Sequence, residues 1–244
     1  MNWGERKTKY NEWYFTEHSG HVKDGIPIYS MQTAKDFALK LKSLTGSASF
    51  LDCGCAVGMI VHGFSLLGLE SRGIDISQFA IEHSFPEIRT LLQVCDISEG
   101  LPFENNSFDT VISFDLLEHL HDYASITKAI KEMCRCAKKS IFLRQPMTTW
   151  FGEADDKIYK DWLMSQNPLP HKTRLALIDH YPLWKSSQPT PTDWEHPNEN
   201  SRNFWITLFE YFGMREQQLP EEEYIFPNIL GLISANTLYF VKDN

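Results

Sequence analysis

The sequence predicts an α/β fold, a doubly wound and mostly parallel sheet with helices on both faces. Three observations lead there. Short apolar runs alternate with stretches of helical periodicity through the first 146 residues, the pattern of strands joined by crossover helices. One of these runs, 49–53, passes straight into a turn bearing Gly54 and Gly58 and then into apolar residues at helical spacing. Three successive runs also carry an acid near their carboxyl ends: Asp52, Asp75 and Asp96.

Taken in order, residues 1–30 mix aromatic and polar side chains without a sustained period, and are read as a cap segment of one short helix and loops. From 30 to 44 the apolar positions Met31, Ala34, Phe37, Ala38, Leu41 and Leu44 recur at three and four, an amphipathic helix that Gly46 ends. A second helix runs from Met59 to Gly68, and Ser77 caps a third that Pro86 interrupts. Strands are expected at 71–77, 91–97, 108–115 and 140–144. A helix at 125–136 precedes the last of these. Residues 31–146 therefore form the core. Residues 147–202, rich in tryptophan and proline, are far longer than an ordinary connection and are read as an inserted lid over the carboxyl end of the sheet, with short helices at 155–165 and 173–179. Residues 203–244 return to the core with a helix at 203–211 and strands at 224–226 and 237–241.

The turn limits what can bind. A dinucleotide site wants G-x-G-x-x-G and a phosphate loop wants G-x-x-x-x-G-K-[ST]; the chain has Asp52-x-Gly54-x-x-x-Gly58. A carboxylate at that strand end repels phosphate and suits a cation or a zwitterion's ammonium group. About twenty residues further on, an acid such as Asp75 can accept both hydroxyls of a ribose.

With Asp96 and the run 108–115 leading into Glu118-His119, these residues resemble the class I S-adenosylmethionine-dependent methyltransferases, in particular the small-molecule branch similar to ubiquinone-biosynthesis methyltransferases. The resemblance covers about 50–146. It implies a Rossmann-like sheet of seven strands whose last strand is antiparallel and sits beside the fifth, with S-adenosyl-L-methionine as cofactor. It also implies that Asp52, Gly54, Cys55, Ala56 and Gly58 surround the methionine part and the sugar, and that Asp75 takes the ribose hydroxyls. Asp96 would receive the adenine amine between Ile76, Cys95 and Ile97. Phe114 and His119 would line the methionine end, with Trp13 or Tyr14 of the cap segment facing the sulfonium. Ala56 stands where the family has its middle glycine. Asp109 is expected to fix the loop before the fourth strand.

Acceptors protonated at neutral pH need a general base. His180 and His196, each beside a carboxylate in the lid, are the candidates. No Asn/Asp-Pro-Pro-Tyr follows the fourth strand, which favours a small, partly apolar acceptor methylated on oxygen, nitrogen or carbon. Two other readings stand beside it: a silent member of the fold that binds without turnover, and a protein or RNA methyltransferase. Lys and Arg number 23 against 32 Asp and Glu, a net charge of −9, which argues against a nucleic-acid partner. No run approaches a membrane span and no charged-then-apolar targeting segment is evident, so a cytoplasmic protein is expected; separately, a monomer or homodimer is expected, the aromatic lid suiting a dimer. The five cysteines form two C-x-C pairs and one single, not a zinc spacing. They are read as reduced and buried, with no metal.

Overall fold

The computed structural model describes residues 8–120, 122–145, 202–219 and 237–242. The cap segment, hereafter the leader, contains a π-helical turn, Tyr14–His18, and a two-stranded hairpin, β1 (Val22–Lys23) and β2 (Ile26–Pro27). Its turn residues Asp24 and Gly25 have φ of 51° and 76°, the left-handed pair that a tight Asp-Gly hairpin turn requires. Then come α1 (Met31–Thr45), β3 (Ser49–Cys53), α2 (Met59–Leu66), β4 (Glu70–Asp75), α3 (Gln78–Glu82), β5 (Leu92–Val94), β6 (Phe108–Phe114), α4 (Tyr123–Cys136) and β7 (Ala137–Arg144). After the undescribed stretch follow α5 (Arg202–Tyr211), β8 (Met214–Glu216) and β9 (Thr237–Lys242).

The sheet order is β5-β4-β3-β6-β7-β9-β8, with β3 to β7 mutually parallel and β9 antiparallel between β7 and β8. This is the expected seven-stranded sheet with its antiparallel last strand. Alternation along each central strand sorts the core into two layers. Leu51, Val111, Ile141 and Leu143 pack towards α4 and α5, joined by Ile130, Phe204 and Trp205. Phe50, Ile112 and Phe142 pack towards α1 and α2 with Phe37, Leu41 and Phe64. Phe50 and Phe64 stack at 3.9 Å. Helix ends follow local chemistry: Ser30, Ser77 and Asp122 each accept a backbone N–H at an N-terminus, and Gly46 closes α1 in the left-handed region.

Several boundaries move. The third strand shortens to Leu92–Val94, because Asp96 Oδ1 accepts both the Ser98 N–H (2.9 Å) and the Ser98 hydroxyl (2.7 Å) and turns the chain early. A strand absent from the sequence reading, Met214–Glu216, follows Gly213 directly and pairs with β9. The expected strand at 224–226 lies outside the described residues, as do the proposed lid and its helices. Asp109 ties strands rather than the loop before it: its Oδ2 accepts the Ala48 N–H at 3.0 Å and pairs with Lys139 at 3.0 Å, bracing the starts of β3, β6 and β7. Among the described residues no helix is long and apolar enough to cross a membrane.

Candidate cofactor and acceptor site

Five parallel strands end at one edge of the sheet, the edge where open α/β sheets bind ligands. A cavity of about 650 Å3 lies there, within the roughly 300–1,000 Å3 typical of ligand sites. Its floor is the strand ends, and its roof is the leader.

The floor is built by the turn after β3. Both Gly54 and Cys55 donate their backbone N–H to Ile74 O, at 2.8 and 3.0 Å, which locks the turn to β4. Gly54 has φ of 80°, and a Cβ there would lie 3.2 Å from the Leu116 side chain. Ala56 is held at φ 48°, a left-handed conformation that an L-residue adopts at a cost of about 1–2 kcal/mol. Its N–H gains a charge-assisted bond, 2.8 Å to Asp75 Oδ2. Asp75 Oδ1 accepts the Ser77 N–H at 2.8 Å. The N–H groups of Ala56, Ser77 and Ile76 thus fix the carboxylate in place without exhausting its roughly four acceptor sites.

Asp52 is 3% exposed and lines the same cavity. Burial, and then the charge of Asp75, push its carboxyl up to about 7. Burial also raises Asp75, opposed by its bonds to Ser77 and Ala56. Two buried acids that resist ionising together are stabilised by a cation between or beside them.

Of the expected cofactor residues, Tyr14, Asp52, Gly54, Cys55, Ala56, Asp75, Ile76, Cys95, Asp96, Ile97, Phe114 and His119 line the cavity. Gly58 does not. A Cβ there would lie 2.8 Å from both Ile88 and Leu92, so the site of this glycine is fixed by packing beneath the turn. Trp13, the alternative to Tyr14, is 52% exposed and stacks on His18. His180 and His196 lie outside the described residues.

The roof holds residues that the sequence reading passed over. Tyr10, His21 and Tyr29 line the cavity from the leader. The Ser77 hydroxyl caps Ala80 and donates to Tyr10 O at 2.6 Å, so one side chain starts α3 and ties down the leader. Tyr10 meets His119 edge-on across the cavity. The Tyr29 hydroxyl lies 2.9 Å from Nδ1 of His62, a residue of α2, whose Nε2 faces Glu87 at 3.6 Å. Burial holds His62 below its ordinary pKa, so its neutral ring accepts from Tyr29 while Nε2–H points at the carboxylate. Burial also lowers the His21 pKa. On the opposite side, Arg144 ends β7 and enters the cavity. A charge closing an apolar strand was the available signal for it.

The donor set fits a nucleoside carrying a cationic amino-acid arm. Asp75 suits vicinal hydroxyls, Asp96 an exocyclic amine between Ile76 and Ile97, and Asp52 an ammonium or sulfonium. Among the described residues no group of three or more His, Cys, Asp or Glu side chains is placed to hold a metal ion.

Comparison with known proteins agrees. Residues 51–143 match the family described as a methyltransferase domain. Over 110 residues the chain is 31% identical to the 18S rRNA (guanine-N(7))-methyltransferase bud23 of Schizosaccharomyces pombe, covering 44% of this chain and 41% of that protein. Over 97 residues it is 29% identical to the ubiquinone biosynthesis O-methyltransferase of Alkalilimnicola ehrlichii, covering 38% and 39%. The chain thus spans less than half the length of these two curated relatives. The fold also matches magnesium protoporphyrin IX methyltransferase (ChlM) from Synechocystis PCC 6803 with bound SAM, with a TM-score of 0.59 at 13% identity over 99% of this chain and 97% of that one. Residues 51–143 are thus a methyltransferase domain, and the sheet topology, the acids at its edge and these relatives support a class I S-adenosylmethionine-dependent methyltransferase.

Proposed function

We propose that the chain methylates a small-molecule acceptor in the cytoplasm, on oxygen, nitrogen or carbon. The observation that carries this reading is the row of strand-end acids, Asp52, Asp75 and Asp96, under an aromatic roof. Bound there, the cofactor would supply a methyl carbon activated by its sulfonium, whose sulfur would leave with the bonding pair, and a protonated acceptor would in addition give up its proton to a base. The chain's own part is to hold and dry the reacting groups. Asp75 fixes the sugar through oxygens already aligned by the Ala56 and Ser77 N–H groups. Asp52 balances positive charge in a buried setting. Tyr10 and Tyr14 cover the cavity and exclude water, and an electron-rich ring face is compatible with a sulfonium. A volume of this size accommodates a nucleoside with a compact acceptor beside it.

The test is titration with S-adenosylmethionine, S-adenosylhomocysteine and, as a control, NADH. The first two bind and NADH does not. Asp75→Ala lowers their affinity by about a hundredfold or more, since two hydrogen bonds to a charged group are lost. Equal binding by wild type and variant, in a folded chain, would remove the site from this cavity.

The rRNA relative supports a second reading, in which the acceptor is RNA. A net charge of −9 disfavours that partner. Tight, salt-sensitive retention of rRNA fragments by the chain would reverse the preference.

A further inference from the structure

The cavity holds one guanidinium among its described lining residues, and the way that group is seated names the acceptor's chemistry. Asp52, Asp75 and Asp96 belong to the ends of β3, β4 and β5. Across β6 lies Arg144 at the end of β7, the single Lys or Arg among the described lining residues. At about 4.8 Å per strand spacing, β7 stands about 10 Å from β3 and further from β4 and β5. Asp52, Asp75 and Asp96 therefore serve one end of the cavity, while the guanidinium stands at the other with Asp115 and Glu118 of the segment after β6.

The guanidinium is held by three contacts. Its side chain is 13% exposed. Its carbon sits 4.8 Å above the centre of the Phe114 ring. Asp115 engages its Nε and Nη2 side-on through both carboxylate oxygens. Asp115 is in turn held at φ 50°, in the left-handed region, with its N–H donating to Arg144 O at 2.8 Å. Nη1 makes no hydrogen bond to any described residue. Among the described residues, the end-on edge, Nη1 with Nη2, is thus left open on a nearly buried cation in the cavity. That edge is a planar pair of donors with the spacing of a carboxylate. A guanidinium serving only to pair with Asp115 would not need seating over a ring inside a ligand cavity.

We propose that Arg144 is the acceptor subsite and that the acceptor carries a carboxylate, bound end-on by the edge that Asp115 leaves open. This rests on the methyltransferase reading for the word acceptor, while the anion site itself does not. Asp115 is the positioning residue that aims the fork.

The experiment is titration of the folded chain with benzoate and with its neutral analogue benzamide, each with and without saturating S-adenosylhomocysteine. Binding is read by calorimetry and by ligand-observed NMR. Benzoate binds and benzamide binds at least about tenfold more weakly, as expected when one partner of a charge-assisted hydrogen bond is replaced. The difference shrinks as sodium chloride is added. Arg144→Gln erases the preference and Arg144→Lys keeps part of it; the benzoate preference persists under saturating S-adenosylhomocysteine, and its loss there would assign the fork to the cofactor's own carboxylate and overturn the proposal. Equal binding of the two probes, absence of benzoate binding, or a preference that survives Arg144→Gln would overturn the proposal. Should Arg144→Gln not fold, the salt dependence and the probe difference in the wild-type chain decide alone. Failure of S-adenosylhomocysteine to bind, with benzoate still held by Arg144, would remove the cofactor reading and leave the anion subsite standing.

Discussion

The floor and the roof of the cavity are made by different physics. The floor is backbone: β3 is paired on both sides, Asp52 standing opposite Gly73 and Ile112, and the turn after it is tied to β4 through two N–H groups on one carbonyl. The roof is a leader attached by side chains, among them Ser77 to Tyr10, Tyr29 to His62 and Phe15 over Phe79. A floor of this kind sets where charge sits before any ligand arrives. The roof sets how long a ligand stays.

The largest effect that sharpens this contrast concerns the floor's charge. Asp52, at about 7, is mostly protonated in mildly acidic solution and ionises when a cation binds beside it. Affinity for S-adenosylhomocysteine, through its ammonium group, should weaken by up to about tenfold per pH unit below that value. In Asp52→Asn the profile flattens; an unchanged slope would assign the proton elsewhere. Stability runs in the opposite direction. The folded carboxyl is raised above its ordinary 3.8, so between 3.8 and about 7 the folded chain holds a proton that the unfolded chain releases. The ligand-free protein therefore loses stability as pH rises through that window. Ligand binding restores it.

The same contrast explains what the sequence discloses. The acids of the floor are legible because each closes a run of apolar residues, and three in succession have no explanation in sheet packing. Contacts of the roof join residues with no common period: 10 with 77, 29 with 62, 15 with 79. Asp24-Gly25 was a readable turn, but its strands are two residues long and show no alternation. Met214–Glu216 is equally brief and owes its place to β9. Arg144 ends a strand as a surface charge would, and only the fold shows a cavity in front of it. Gly58 was read as a ligand contact because spacing cannot distinguish a glycine facing a cofactor from one facing Ile88 and Leu92.

A smaller effect loosens the roof alone. Tyr29→Phe leaves Nδ1 of the buried His62 without its hydroxyl partner, a loss of about 1 kcal/mol. For a chain of this size that lowers the melting temperature by about 2–4 °C. Hydrogen exchange at the leader amides should quicken while exchange in β3 and β4 stays as it was. Dissociation of S-adenosylhomocysteine should speed up more than its association slows. Uniformly faster exchange across the sheet would show that roof and floor open as one unit.

The smallest effect bears on a strained residue of the floor, Ala56. Ala56→Gly relieves a φ of 48°, worth about 1–2 kcal/mol. It also returns about 0.4–1 kcal/mol of freedom to the unfolded chain. The net gain lies between about 0 and 1.6 kcal/mol. Because the Ala56 N–H donates to Asp75 in either case, cofactor affinity should change less than stability does. If the variant is more stable and binds no better, the methyl group of Ala56 is a cost borne by the fold and not by the site. If affinity rises tenfold while stability is unchanged, the methyl group meets the cofactor directly, and the turn of this chain is a tuned contact in place of a tolerated one.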